Sequence, residues 1–259
     1  MMRRFLSFLL FVLLLIPTGC AKRWDALSEK EKKILGNILA HWETWVPARK
    51  KEGTAPLMAF DELYAGLGAE EREFLDRVRT INPKKSFDFQ GDLLGEAGEK
   101  ASFRKLGNQK VKKSGKSDPI DAQYLPENVY QAYKKMMKAM KKDLGKKILV
   151  ESGYRSPAYQ LYTFIFYCPK HHYSLAETGH WVALPGFSEH GSPQRQAIDF
   201  INENGINGDD PGQTVEDFEK LPEYGWLQAN AWKFGFELSY PRGKKGVTFE
   251  PWHWRYIGN

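Results

Sequence analysis

Ser188-Glu189-His190-Gly191-Ser192-Pro193-Gln194-Arg195-Gln196-Ala197-Ile198-Asp199-Phe200-Ile201 is the stretch on which the reading of this chain turns. From Gln196 to Ile201 apolar and polar positions alternate, the pattern of a half-buried strand. The glycine and proline before it mark a turn. An imidazole, His190, and a carboxylate, Asp199, are thereby brought together from either side of one turn. Such a pair supplies two of the three protein ligands of a catalytic zinc site.

A third ligand lies far along the chain, in Glu250-Pro251-Trp252-His253-Trp254-Arg255-Tyr256. His253 is the candidate ligand, and Glu250 is a carboxylate suited to activating water. Pro251 forbids helical continuation and pushes Glu250 towards extended backbone. On a regular strand, positions 250 and 253 would face opposite ways. Both reach one ion only if Glu250 sits in a bend before the strand that turns its carboxylate inward.

Outward in the other direction stands Glu151-Ser152-Gly153-Tyr154-Arg155-Ser156, a strand end running into a tight turn, with Gln160 one helical turn beyond. An arginine fixed on such a turn presents several donors to a carboxylate or a developing oxyanion.

The three groups together resemble the zinc D,D- and L,D-carboxypeptidases of the VanY type. Their pattern is a Ser-Gly-Tyr-Arg-Ser turn, then Ser-x-His-x-x-Gly-x-Ala-x-Asp, then Glu-x-Trp-His-x-x-Tyr. The resemblance covers about Tyr124 to Tyr256. It implies that His190, Asp199 and His253 hold Zn2+, that Glu250 is the catalytic base and that Arg155 polarises the scissile carbonyl. Ser188, Gln160 and Ser156 fall near the substrate, and Trp252 and Tyr256 wall the pocket. The implied substrate is a peptidoglycan stem peptide losing a terminal D-alanine. An endopeptidase would use the same metal site, and a non-catalytic wall-binding lipoprotein is the more distant alternative. This chain departs from the family in having eight residues, 191–198, between His190 and Asp199 where the family has six. Arg195 stands where the family places glycine, so the loop must turn another way, through Gly191 and Pro193.

The remaining patterning predicts an α+β fold, an antiparallel sheet flanked by helices. Ser28 with Glu31 reads as a capping box opening a helix to about Trp45. A second helical stretch spans about Phe60 to Val78, broken near Gly66 and Gly68. Periodicity vanishes from Asn82 to Ser117, where lysines and glycines accumulate. That stretch reads as a linker closing a helical N-terminal region, 21–117, ahead of a peptidase domain, 118–259. The cationic run from Lys105 to Lys116 reads as solvated rather than as a ligand site. A helix follows Pro126 to about Lys142 with Val129, Tyr133, Met136, Met137 and Met140 as its apolar stripe. Lys147–Val150 is expected as a strand, and Pro157–Tyr167 as a helix with proline at its first position. Pro169–Phe187 is expected as a loop. Further expectations are a helix over Pro222–Phe234 and strands near Phe236–Tyr240 and Trp252–Tyr256.

Arg3 and Arg4 precede an apolar run from Phe5 to Ile16, too short for a membrane span of roughly twenty residues. With Pro17-Thr18-Gly19-Cys20 it reads as an export signal, residues 1–19, with Cys20 lipidated as the first residue of the mature protein. The expectation is a monomeric protein of the cell envelope, anchored to the membrane through Cys20. The full chain carries 38 basic and 32 acidic side chains, net +6; removing Arg3 and Arg4 with the signal leaves +4. So mild a balance gives no reason to expect nucleic-acid binding. Cys168 is then left without a disulfide partner, so the fold is held by packing. His171, His172 and His180 read as loop-surface histidines, and Cys168 as buried packing.

Overall fold

The computed structural model describes residues 24–258 apart from 88, 90, 92–93, 96–101, 114, 193 and 245–247. The expected export signal, residues 1–19, and Cys20 lie outside the described residues. No described helix is long and apolar enough to cross a membrane.

Five helices come first: α1 (Glu29–Glu43), α2 (Val46–Glu52), α3 (Phe60–Tyr64), α4 (Ala69–Arg79) and α5 (Pro83–Ser86). α1 begins as the sequence dictates, with Ser28 and Glu31 exchanging hydrogen bonds across the first turn. α3 and α4 are separated where Gly66 takes a positive φ and Gly68 caps α4. Ile34, Leu35, Ile38 and Trp42 of α1 are buried together with Phe74, Leu75 and Val78 of α4.

The stretch expected as linker contains strands β1 (Phe103–Leu106), β2 (Lys110–Lys113) and β3 (Lys116–Pro119), followed by β4 (Gln123–Pro126). β1 pairs with β4, and β2 with β3 as a hairpin, all antiparallel. Lysines occupy most of β2 and recur in β3, and a single apolar side chain, Val111, is buried against Leu149 and Ile201. One anchor is too little to register as alternation, which is why the hairpin is invisible to periodicity.

Then come α6 (Glu127–Leu144), β5 (Ile148–Ser152), α7 (Pro157–Tyr167), α8 (Leu175–Trp181), β6 (Ala197–Asn202), α9 (Val215–Glu219), α10 (Pro222–Asn230), β7 (Phe236–Leu238) and β8 (His253–Tyr256). α8 lies inside the segment expected to be loop. The main sheet runs β5-β6-β8-β7, antiparallel throughout. Its Ile198, Phe200 and Trp254 pack with Met136, Met140 and Leu227 of α6 and α10. The alternate residues Asp199 and His253 therefore face the other side. The fold is α+β, as expected.

A second core joins the N-terminal helices to α7 and α8 of the C-terminal region. Leu161, Phe164 and Ile165 of α7 are wholly buried in one cluster with Leu35, Ile38 and Trp42 of α1. Truncating such a side chain removes transfer free energy and leaves a cavity. Phe164→Ala should lose about 3–5 kcal/mol. Urea denaturation checks this, and a loss below about 1 kcal/mol would mean the shared core is not close-packed in solution.

Candidate metal centre

Strand register builds the centre. Asp199 of β6 stands directly opposite Ser152 of β5 on one side and His253 of β8 on the other. Cross-strand partners project to the same face, so Asp199 and His253 meet: Asp199 Oδ1 is 2.7 Å from His253 Nδ1. His190 arrives from the short helical turn Glu189–Gly191 and puts Nε2 3.0 Å from Asp199 Oδ2. One ligand atom from each of the three residues lies within 4.8 Å of the others.

The chemistry of these contacts shows that the donor set fits a cation. His190 Nδ1 donates to the Gly153 carbonyl at 2.8 Å. Burial first, and then the nearby Arg155 charge, hold His190 below its ordinary pKa, so the ring is neutral and Nε2 carries a lone pair. That lone pair faces a carboxylate oxygen across 3.0 Å. Two acceptors at that separation repel unless a cation is shared between them.

His253 is held differently. Its Nε2 lies 3.0 Å from Glu189 Oε2, and Glu189 is in turn bound by Arg255 at 2.8 Å. An imidazole anchored in this way through one nitrogen presents the other to a metal in a fixed orientation. Burial acts to lower His253, but Asp199 and Glu189 more than reverse this and raise it to about 10. Asp199 is itself held well below the usual carboxylate range: burial opposes ionisation, and the two imidazoles overcome it.

Glu250 meets the bend that the sequence demands. It precedes β8, His253 N–H donates to its carbonyl at 3.1 Å, and the side chain turns inward to put Oε2 3.8 Å from His253 Nδ1. Burial pushes its carboxyl up to about 7. Arg155 lies on the turn after β5, its backbone N–H bonded to the His190 carbonyl at 3.0 Å. Its buried Nε has no hydrogen-bond partner among the described residues.

The longer loop between His190 and Asp199 turns on Ser192, whose hydroxyl accepts from Arg195 N–H at 3.0 Å and Gln194 N–H at 3.3 Å. Pro193, expected to share the turn, lies outside the described residues. Gly153 must be glycine, because a Cβ there would come within 2.4 Å of the Tyr124 carbonyl oxygen.

Other expected site residues are placed less directly. Ser188 is buried and its hydroxyl accepts from His190 N–H. Ser156, expected near substrate, instead caps α7 and donates to the Met58 carbonyl at 2.6 Å. Gln160 is buried and donates to the Ala183 carbonyl. Trp252 packs edge-on against Phe218. Tyr256, expected to wall the pocket, has its ring against Phe236 on the helix side of the sheet, because three strand positions from His253 reverse the face. His171 stacks on Trp181 and His180 is exposed; among the described residues neither they nor His172 join the cluster. Cys168 is buried and pushed up to about 11 by that burial. Sequence reasoning assigned no role to Glu189 or Arg255, since the contacts that tie them to His253 and to each other span more than sixty positions.

Two imidazoles and one carboxylate around a single point, with a further carboxylate beside them, describe the class of single-ion metallohydrolase sites. The chain belongs to the VanY family: the family model, described as D-alanyl-D-alanine carboxypeptidase, matches residues 122–259. A D-alanyl-D-alanine carboxypeptidase of Enterococcus faecium is 32% identical over 139 residues, covering 52% of this chain and 38% of that protein. The putative carboxypeptidase YodJ of Bacillus subtilis (strain 168) is 33% identical over 144 residues, covering 54% of this chain and 49% of the relative. The chain thus spans half or less of the length of these curated relatives. The structure of a mutant of the vancomycin-resistance D,D-pentapeptidase VanY, from a VanB-type resistance cassette and in complex with Zn(II), is 24% identical with a TM-score of 0.44, covering 64% of this chain and 87% of that one.

The protonation states give a testable consequence. Between pH 7 and 8 Asp199 is ionised and His190, held below its ordinary pKa, is neutral, while His253, raised to about 10, retains its proton. An incoming divalent ion must displace that one proton. Apparent zinc affinity should therefore fall about tenfold as the pH drops from 8 to 7. Calorimetric titration at several pH values measures the slope, and a flat profile would remove His253 from the ligand set.

Proposed function

We propose that this chain is a zinc-dependent carboxypeptidase that removes the terminal D-alanine from peptidoglycan stem peptides. The observation that carries the reading is the inward bend of Glu250 beside the His190–Asp199–His253 cluster, within a chain of the VanY family.

Zinc, held by those three side chains, would supply Lewis acidity toward water and the scissile carbonyl. Glu250, with a carboxyl near 7, takes the proton of the attacking water and returns it to the departing amine. Arg155, whose Nε has no hydrogen-bond partner among the described residues, directs its guanidinium to the carbonyl oxygen, where negative charge develops. Glu189 and the Gly153 carbonyl keep the two imidazoles in the tautomers that coordination needs. Hydrolysis follows without a covalent intermediate. The apolar run Phe5–Ile16 and the Pro17–Cys20 box support an exported, lipid-anchored protein of the cell envelope, where such peptides are accessible.

Glu250→Ala should retain zinc while turnover falls by about two to four orders of magnitude; near-normal turnover would take Glu250 out of the base role. His253→Ala should lose the metal, read by metal analysis of the purified protein. Mass analysis of a stem pentapeptide incubated with the zinc-loaded protein should show loss of one alanine residue. Larger fragments would identify an endopeptidase instead.

A further inference from the structure

A cavity of about 440 Å³ is lined by Arg155 and by Ser152, the strand partner of Asp199. That is within the size range of small-ligand sites. Its far wall comes from residues the family match does not include. Lys50 of α2, Gly53 and Pro56 contribute, joined by Tyr159, Tyr162 and Phe166 of α7. The N-terminal segment is fastened there by backbone contacts. Ser156 N–H donates to the Pro56 carbonyl at 2.8 Å, and Tyr124 Oη donates to the Gly53 carbonyl at 2.8 Å. The wall is thus continuous with the turn that carries Arg155.

Lys50 is the unusual group in that wall. It is half-buried, and among the described residues it makes no ion pair or hydrogen bond. Its ammonium lies 5.1 Å from the Tyr162 ring centroid and 5.6 Å from that of Phe166. Aromatic faces stabilise a cation only partly, and burial acts against the charge, lowering the Lys50 pKa. The other cations and anions of the cavity are differently placed. Lys113 is already paired with Asp210 at 2.7 Å. Glu151 accepts from Asn207, and burial pushes it up to about 7. Asp118 and Asp121 are exposed, and the Asp121 charge partly offsets the effect of burial on Lys50. Lys50 and Arg155 both line the cavity, and among the described residues neither the Lys50 ammonium nor Arg155 Nε has a hydrogen-bond partner.

We infer that this cavity is the acyl-side subsite of the cleft, and that Lys50 selects substrate whose residues before the scissile bond carry a free carboxylate. The inference rests on the peptidase reading and adds to it a specificity residue contributed by the N-terminal helices. Two sources offer that chemistry in a stem peptide: the α-carboxylate of an isoglutamyl residue and the side-chain carboxylate of a diamino-acid residue. A primary amide at either position removes the charge and keeps the shape.

The test compares the fully acidic peptide with two twins, each amidated at one of these positions, on zinc-loaded wild-type, Lys50→Met and Lys50→Arg proteins. The wild type should show a KM about tenfold lower for the acidic peptide than for one of the twins, the worth of a single charge-assisted hydrogen bond. The twin that loses affinity identifies the source. Lys50→Met, which keeps the aliphatic stem on the aromatic rings, should erase the preference through KM with kcat little changed. Lys50→Arg should restore it. A preference unaltered in Lys50→Met, or a loss that is equal for all three peptides, overturns the inference. If zinc is bound and no peptide is cleaved, the peptidase reading falls. Calorimetric binding of the same peptides to wild-type and Lys50→Met protein then decides on Lys50 by itself.

Discussion

One carboxylate holds the centre together. Asp199 lies between two imidazoles, touching His253 through one oxygen and His190 through the other. Burying a carboxylate is costly unless its lone pairs are answered; His253 answers one oxygen, and the other faces the His190 lone pair, where a cation would be shared between them. The register β5-β6-β8 is consequently a functional constraint as well as a structural one. A slip of one residue in either pairing would move Asp199 or His253 to the helix side of the sheet, among Ile198, Phe200 and Trp254. The apolar residues of that opposite face fix the register, so the hydrophobic core specifies where the ligands stand.

The imidazoles are held from behind as firmly as from in front. Gly153 gives its carbonyl to His190 from the turn after β5, and that turn can pass so close to Tyr124 only because it has no side chain. Glu189 reaches across to His253 while Arg255 and, behind it, Glu237 fix the carboxylate. The outer contacts come from the residue next to one ligand and the residue two beyond another. The same short segments thus supply both the ligands and the groups that orient them.

What could be read from sequence follows from how local each signal is. The capping box of α1, the proline opening α7 and the methionine stripe of α6 are local patterns with local causes, and each is found. The bend at Glu250 was legible because Pro251 restricts the residue before it. Parity along β8, applied to Glu250, applies equally to Tyr256 and places it on the far face. α8 is hidden because Leu175–Trp181 mixes one glycine and several polar residues with little apolar periodicity, although Ser174 caps it. The β2–β3 hairpin is hidden because it buries one side chain. Glu189 and Arg255 act on partners distant in sequence, and nothing local marks such a pairing.

Residues 21–117 read, as sequence, only as a helical region closed by a linker. Their packing gives them a more specific physical role. The core they share with α7 is wholly buried at Leu161, Phe164 and Ile165, and α7 starts immediately after the Arg155 turn. Pro56 and Met58 accept the two hydrogen bonds that Ser156 donates. A spacer or a mobile lid would require those bonds and that core to break with each excursion. Loss of several buried side chains at once costs far more than thermal energy. The N-terminal helices therefore act as a fixed buttress. They hold the arginine turn in place, and Lys50 lines the same cavity as Arg155.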